Sequence, residues 1–223
     1  MATKYNPTIV IDNLVLCLDA ANPKSYPGSG ITWTDMSGNE NNGTLVNGVG
    51  YSSNDGGSLT FDGSNDYVQC PNDMFNPNSN FTISAWVNSD VFSSTNDYTI
   101  VSDYNNTGSF HLRYRNGTGV QMVDSYVVEI GTFSSSTLSA STWYNITVTR
   151  SSNTYTLYLN GSSTSTLTSS NTYDRGPQSI GVNYSAGVEA WDGKIATIIA
   201  YSRALTASEV LQNYNAHKGR YGL

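Results

Sequence analysis

Trp191-Asp192-Gly193-Lys194-Ile195-Ala196-Thr197-Ile198-Ile199-Ala200-Tyr201-Ser202-Arg203-Ala204-Leu205, followed by Thr206-Ala207-Ser208-Glu209-Val210-Leu211, is the most informative segment of the chain. It reads as a long apolar strand that runs directly into a short helix. Thr206 and Glu209 stand at capping-box spacing: the hydroxyl accepts from the Glu209 amide, and the carboxylate accepts from the Thr206 amide. The helix is expected to bury Val210, Leu211 and Tyr214 and to end near Gly219.

Upstream, short runs of period-two alternation recur between clusters of Gly, Asn, Asp and Ser, the pattern of an antiparallel sandwich. Phe81 to Val87 places Phe81, Ile83, Ala85 and Val87 on one face. Trp143 to Arg150 and Tyr155 to Asn160 form a hairpin across Ser151-Ser152-Asn153, with Tyr144, Ile146, Val148, Tyr155, Leu157 and Leu159 expected in the core. Asn160-Gly161 marks a tight turn into Ser162 to Leu167, the start of a polar edge strand. Asp62-Gly63-Ser64-Asn65-Asp66 reads as a hairpin turn in which Gly63 supplies the unusual backbone angle.

Composition narrows the function classes. The chain has 223 residues, a length that suits one sandwich domain. Residues 1–12 read as an arm or edge strand and 13–223 as the domain itself. Only 12% of residues are charged and the net charge is -7, which excludes a phosphate-tracking surface and so nucleic acid. No apolar run reaches membrane-spanning length, and the N-terminus lacks a secretory pattern. Cys17 and Cys70 sit in strand-like runs and read as buried thiols rather than a disulfide.

Five segments, in order, carry a resemblance: Leu14-Val15-Leu16-Cys17-Leu18-Asp19, the turn Trp33 to Thr44, Leu59 to Val68, Phe81 to Val87, and the terminal strand with its capped helix. Together the sequence resembles the laminin-G-like members of the concanavalin A-like lectin/glucanase superfamily. The resemblance implies an all-β, antiparallel jelly-roll β-sandwich with one short C-terminal helix. The combination LDAANPKSYPGSG, WTDMSGNENNGTL and RALTASEV is also similar to stand-alone laminin-G-like proteins of tailed bacteriophage virions. That likeness implies a protein of the virion surface, a capsid-decorating or tail-associated subunit. Its expected partners are other virion proteins, further copies of itself and host-surface glycan.

Calcium is common in such domains, and the turn Asp35 to Gly43 concentrates oxygen donors suited to a hard cation. The candidate ligands are Asp19, Asp35, Asn39, Asn42 and Asp192; the other reading of this turn is side chains bonding their own backbone. Superfamily glucanases group carboxylates on one strand face, whereas the four Glu residues here, Glu40, Glu129, Glu189 and Glu209, are isolated. His111, Arg113 and Arg115 alternate onto one face, the nearest approach to lyase chemistry, and read as a solvated polar face because no partner strand shows matching groups. The chain is therefore expected to be non-catalytic. Sixteen Tyr and four Trp leave room for a glycan site, sought in loops at Tyr98, Tyr104, Tyr173, Tyr184 and Trp191. A stand-alone lectin-like module is the alternative to the virion subunit, and a polysaccharide-active enzyme the third reading.

Overall fold

The computed structural model describes residues 8–70, 73–92, 96–103, 110–123, 129–134, 136–183 and 189–223. In chain order the strands are β1 (Leu14–Asp19), β2 (Thr32–Trp33), β3 (Gly43–Val46), β4 (Gly50–Ser52), β5 (Ser58–Asp62) and β6 (Tyr67–Gln69). Then come β7 (Phe81–Ser89), β8 (Asp97–Ser102), β9 (His111–Arg115), β10 (Gly119–Val123) and β11 (Glu129–Thr132). The last are β12 (Tyr144–Ser151), β13 (Thr154–Leu159), β14 (Ser162–Thr168), β15 (Ser179–Ile180) and β16 (Asp192–Tyr201), followed by helix α1 (Ala207–His217).

They form two antiparallel sheets. The first runs β14-β13-β12-β7-β16-β5-β4, with β1 also on β16; the second runs β11-β10-β9-β8-β15-β6-β3-β2. This is the antiparallel sandwich expected from the alternation, with the jelly-roll architecture that the resemblance implied. Phe81, Ile83, Ala85 and Val87 of β7 join the core between the sheets, while Trp86 of the same strand belongs to a separate cluster on the outer face. Ile146, Val148, Tyr155 and Leu157 are fully buried as anticipated, with Tyr144 and Leu159 half-buried beside them.

β16 holds the first sheet together. One edge pairs with β7 along its length. The other is divided: Asp192 to Ile195 pair with β5, and Thr197 to Tyr201 pair with β1. A register shift between Ile195 and Thr197 marks the handover. It also changes the facing, so that Ile195, Ile198 and Ala200 enter the core while Ile199 and Tyr201 point outward. Gly193 has φ 129°, and a Cβ there would stand 2.3 Å from the Asn88 carbonyl oxygen, so only glycine fits.

The outward apolar groups are covered by α1. Thr206 is its N-cap and both halves of the capping box are present. Glu209 adds a two-pronged pair with Arg203, at 2.9 and 2.7 Å. The buried face of the helix is Val210, Asn213 and His217, and Tyr214 stacks on Trp86 with centroids 5.6 Å apart. Leu211, expected inside, is 45% exposed because it lies one residue off that stripe. Among the described residues no helix is long and apolar enough to cross a membrane.

Two further sequence readings change. The turn Asp62 to Asp66 is not a hairpin: β5 pairs in the first sheet and β6 in the second, so it carries the chain between layers. Gly63 does take a positive φ of 73° there. Thr8 to Ile11 form no strand; the arm lies against α1, with Val10 N donating to Asn213 Oδ1 and Gln212 Nε2 to the Thr8 carbonyl, while residues 1–7 fall outside the described residues. Cys17 and Cys70 are free and buried, and burial pushes both thiols up to about 12.

Replacing Glu209 with Ala is expected to lower stability by about 0.5–2 kcal/mol, or about 2–4 °C in Tm per kcal/mol at this chain length, measured by thermal unfolding. The Arg203 hydrogen bond and the Thr206 amide hold the Glu209 carboxyl down to about 2 from 4.5. Its contribution is thus complete above the ordinary Glu value and lost as pH falls through 4.5 toward 2.

Candidate functional site

The outer face of the second sheet carries the densest polar chemistry of the described residues. Alternation along β9 sends Leu112 and Tyr114 into the core and His111, Arg113 and Arg115 to the opposite face. The neighbouring strands meet them in register. Arg115 lies opposite Asp97 of β8, and Arg113 lies between Thr99 of β8 and Gln121 of β10.

Arg115 donates to both oxygens of Asp97, Nε at 2.6 Å and Nη2 at 2.7 Å. Arg113 Nη1 bridges two carboxylates, Asp97 Oδ2 at 2.8 Å and Glu189 Oε1 at 2.9 Å. Its Nε donates to Gln121 Oε1 at 2.9 Å, and Gln121 Nε2 donates onward to Thr132 Oγ1 at 2.8 Å. Asn183 Nδ2 holds the other Glu189 oxygen at 3.0 Å. His111 Nε2 shares a 3.0 Å hydrogen bond with the Thr99 hydroxyl and lies 3.5 Å from Glu189 Oε2.

Glu189 enters from far along the sequence. Its carbonyl accepts from the Thr99 amide at 2.9 Å, and a φ of 51° turns the chain there. The site is thus assembled by a bulged β8, whose register on β9 shifts between Thr99 and Val101, together with the approach to β16.

Side-chain exposure rises from 4% at His111, through 9% at Arg113, 10% at Asp97 and 17% at Glu189, to 41% at Arg115. The network is buried at one end and opens to solvent at the other. Burial works against ionised Asp97, yet the Arg115 hydrogen bond and the charges of both arginines hold it below the usual carboxylate range. Burial raises Glu189, and the neighbouring Asp97 charge adds to this against the pull of Arg113. Both carboxyls meet on Arg113 Nη1, so the two carboxyls and Arg113 form one unit whose titrations are linked. Burial and the Arg113 charge push His111 down to about 3, which leaves its imidazole neutral near pH 7.

The expectation of a solvated strand face at His111, Arg113 and Arg115 is thereby corrected. His111 and Arg113 are buried, and the partner strands do carry matching groups in Asp97, Thr99 and Gln121. Period-two alternation of Asp97 with Thr99 was a visible signal for this face. Nothing local in the sequence joins Glu189 or Asn183 to it.

Of the aromatic candidates, the three among the described residues are core side chains. Tyr98, Tyr173 and Trp191 are buried at 3%, 3% and 0% exposure. Tyr98 belongs to β8 rather than a loop and meets Trp191 edge-on in the core. Tyr173 packs against Phe110. Tyr104 and Tyr184 lie outside the described residues.

Of the calcium candidates, Asp35, Asn39 and Asn42 share one turn, while Asp19 and Asp192 lie on β1 and β16. Asp35 Oδ1 accepts from the Cys17 and Ser37 amides, and Oδ2 from the Ser37 hydroxyl and the Asn41 amide. Asn42 Oδ1 accepts from the Asp35 amide, and Asn39 Nδ2 donates to the Val15 carbonyl. Asp19 pairs with Arg220 at 2.8 Å. Asp192 faces Asp62 across β16 and β5, five residues along the strand from Thr197, the partner of Asp19. Among the described residues no group of three or more His, Cys, Asp or Glu is placed to hold a metal ion. The Asp35 turn is held together by hydrogen bonds from its side chains to its own backbone and to Cys17 and Val15 of β1.

Two antiparallel sheets, a capped C-terminal helix and a polar outer sheet face define a lectin-type sandwich. A laminin-G profile of the concanavalin A-like lectin/glucanases superfamily matches residues 62–211, and the chain belongs to that superfamily. No curated protein matches the sequence. Among solved structures it is similar to domain 4 of AbnA, a GH43 extracellular arabinanase from Geobacillus stearothermophilus, in complex with arabinotriose. The TM-score is 0.70 at 15% identity, over 91% of this chain and 98% of that one. It is also similar to the binding domain of Paraclostridial Mosquitocidal Protein 1, with TM-score 0.68 and 20% identity over 92% of this chain and 52% of that one. Trypanosoma rangeli sialidase gives TM-score 0.71 and 16% identity over 99% of this chain and 36% of that one. The chain thus spans about half of the toxin domain and about a third of the sialidase. At these identities the likeness establishes a shared fold.

Replacing Arg113 with Met strands Asp97 and Glu189 without their shared cation, and is expected to destabilise the fold by about 3–5 kcal/mol in denaturant titration. Stability is also expected to fall as pH drops below 6.5 toward about 3, because unfolding frees His111 to take up a proton that the fold denies it. His217, pushed down to about 4 by burial and Arg220, acts in the same direction. Replacing His111 with Gln should flatten the dependence of Tm on pH across that window, and an unchanged slope would contradict a neutral buried imidazole.

Proposed function

We propose that this domain is a non-catalytic glycan-binding module that holds neutral saccharides on the outer face of the second sheet. The observation that carries the reading is the locked Asp97, Arg113, Arg115, Gln121 and Glu189 array, whose planar side chains are fixed by one another and reach solvent at Arg115 and Glu189. Such groups offer directed hydrogen bonds to sugar hydroxyls with little ordering cost on binding. The similar arabinanase domain, solved with arabinotriose, supports the choice of saccharide.

Charge favours a neutral sugar. Both arginines of the array are already paired with carboxylates, and the chain as a whole carries -7. No cation of the array is left over for an acidic sugar, and the long-range field repels one.

The same geometry argues against hydrolysis. Retaining glycosidases hold a nucleophile and an acid about 5–5.5 Å apart across the scissile bond. Here Asp97 and Glu189 bind the same nitrogen of Arg113, so the space a glycosidic oxygen needs is occupied by the guanidinium. Lyase chemistry needs a titratable base facing solvent, and His111 is buried.

We infer further that the module is displayed on a bacteriophage virion, in the capsid or tail, and contacts host-surface glycan. The support is the sequence likeness of the LDAANPKSYPGSG and WTDMSGNENNGTL segments to stand-alone virion domains.

Titration calorimetry with arabinotriose and a panel of neutral and sialylated oligosaccharides tests the binding reading. Replacing Arg115 with Ala should weaken binding of the retained neutral sugar about tenfold, or 1.4 kcal/mol. Failure to retain any neutral sugar overturns the proposal, and release of reducing ends on incubation overturns its non-catalytic part.

A further inference from the structure

The outer face of the first sheet carries an aromatic arrangement separate from the Asp97 to Arg115 array. After α1 the chain makes a short turn, Lys218–Tyr221, which sets the Tyr221 ring against two indoles. Its centroid lies 4.2 Å from that of Trp86 on β7 and 4.5 Å from that of Trp143 before β12, with interplanar angles of 27° and 39°. Rings this close and this nearly parallel meet face to face, and two such partners cannot share one face of a ring. Tyr221 is therefore sandwiched between Trp86 and Trp143. The Trp143 indole is itself fixed, since its Nε1 donates to Asp55 Oδ2 at 3.0 Å.

Polar atoms beside this sandwich are left unmet. Among the described residues Trp86 Nε1, Thr197 Oγ1 and Asn88 Oδ1 are buried and have no hydrogen-bond partner. Thr197 is the β16 register partner of Trp86, and Asn88 stands two positions along β7 on the same face. Sealed polar atoms of this kind are costly and rare, and three on one patch of sheet call for a cause.

We propose that Trp86 and Trp143 form a slot for a pyranose ring, which Tyr221 occupies in place of the ligand, so that the turn Lys218–Tyr221 is an autoinhibitory plug. A slot with an aromatic ring on each side takes a ligand with two apolar faces and a polar rim. An all-equatorial pyranose of gluco configuration has that shape, with C–H groups on both faces and hydroxyls around its edge to meet Thr197, Asn88 and the Trp86 N–H. The axial hydroxyl of galactose would stand unpaired against one indole. The plug is anchored by Arg220, whose Nη1 donates to both oxygens of Asp19 at 2.8 and 2.9 Å. An occluded site binds with an affinity reduced by the fraction of molecules that are open, so loosening the plug strengthens binding. Plain packing predicts the reverse, a less stable chain with no ligand. The slot lies on the other sheet from the Asp97 to Arg115 array and does not rest on it.

Cellotriose titrated into the purified chain, followed by tryptophan fluorescence and calorimetry, tests the slot. Tyr221→Ala is expected to bind it about tenfold more tightly than the native chain. The gain should persist with Arg115→Ala added, which separates this slot from the second sheet, and vanish with Trp143→Ala added. A folded Tyr221→Ala chain without the gain overturns the proposal, as does a gain that survives Trp143→Ala or is lost with Arg115→Ala. An equal gain for galactotriose overturns the gluco assignment. Should Tyr221→Ala not fold, Arg220→Gln releases the anchor while keeping the ring. Tighter binding of cellotriose by that variant supports the plug, and unchanged affinity overturns it.

Discussion

The pairing of β16 with three other strands is the constraint on which the rest of the molecule depends. It joins the first strand, the middle of the chain and the β4 to β5 hairpin into one sheet, so nearly every other contact presupposes it. Closing such long loops costs chain entropy that only extensive burial offsets. The strand is accordingly apolar on both sides, and each fully buried large side chain contributes about 1.5–3 kcal/mol. An apolar outer face requires a cover. That is the role of α1, whose start is fixed by the Thr206 and Glu209 cap and the Arg203 pair within five residues of the strand end.

The second sheet meets the same requirement in another way. Among the described residues no helix covers the outer face of β8 to β10, and the side chains there include Asp97, Arg113 and Arg115. Burying such groups singly would cost several kcal/mol each, so they are tied into a network in which each charge meets an opposite one. The arrangement adds little to stability relative to apolar packing. What it provides is orientation, with Asp97, Arg113, Gln121 and Glu189 each held by two or more neighbours.

Architecture was far more legible in the sequence than the site. The terminal strand and its cap, the alternation of β7 and the β12 to β13 to β14 meander are encoded by residues close together in the chain, where periodicity and turn chemistry act. Leu211 was misplaced because a single residue of phase separates the buried stripe from solvent. The bulge at Ala196 hides in a run of apolar residues for the same reason: alternation cannot be counted where both faces are buried. At the site, the Arg113 face was visible but its meaning was not, since Glu189 is 76 positions away and joins through a backbone contact to Thr99. Aromatic richness misled in the opposite direction, because in a sandwich with two large sheets the core itself consumes Tyr and Trp.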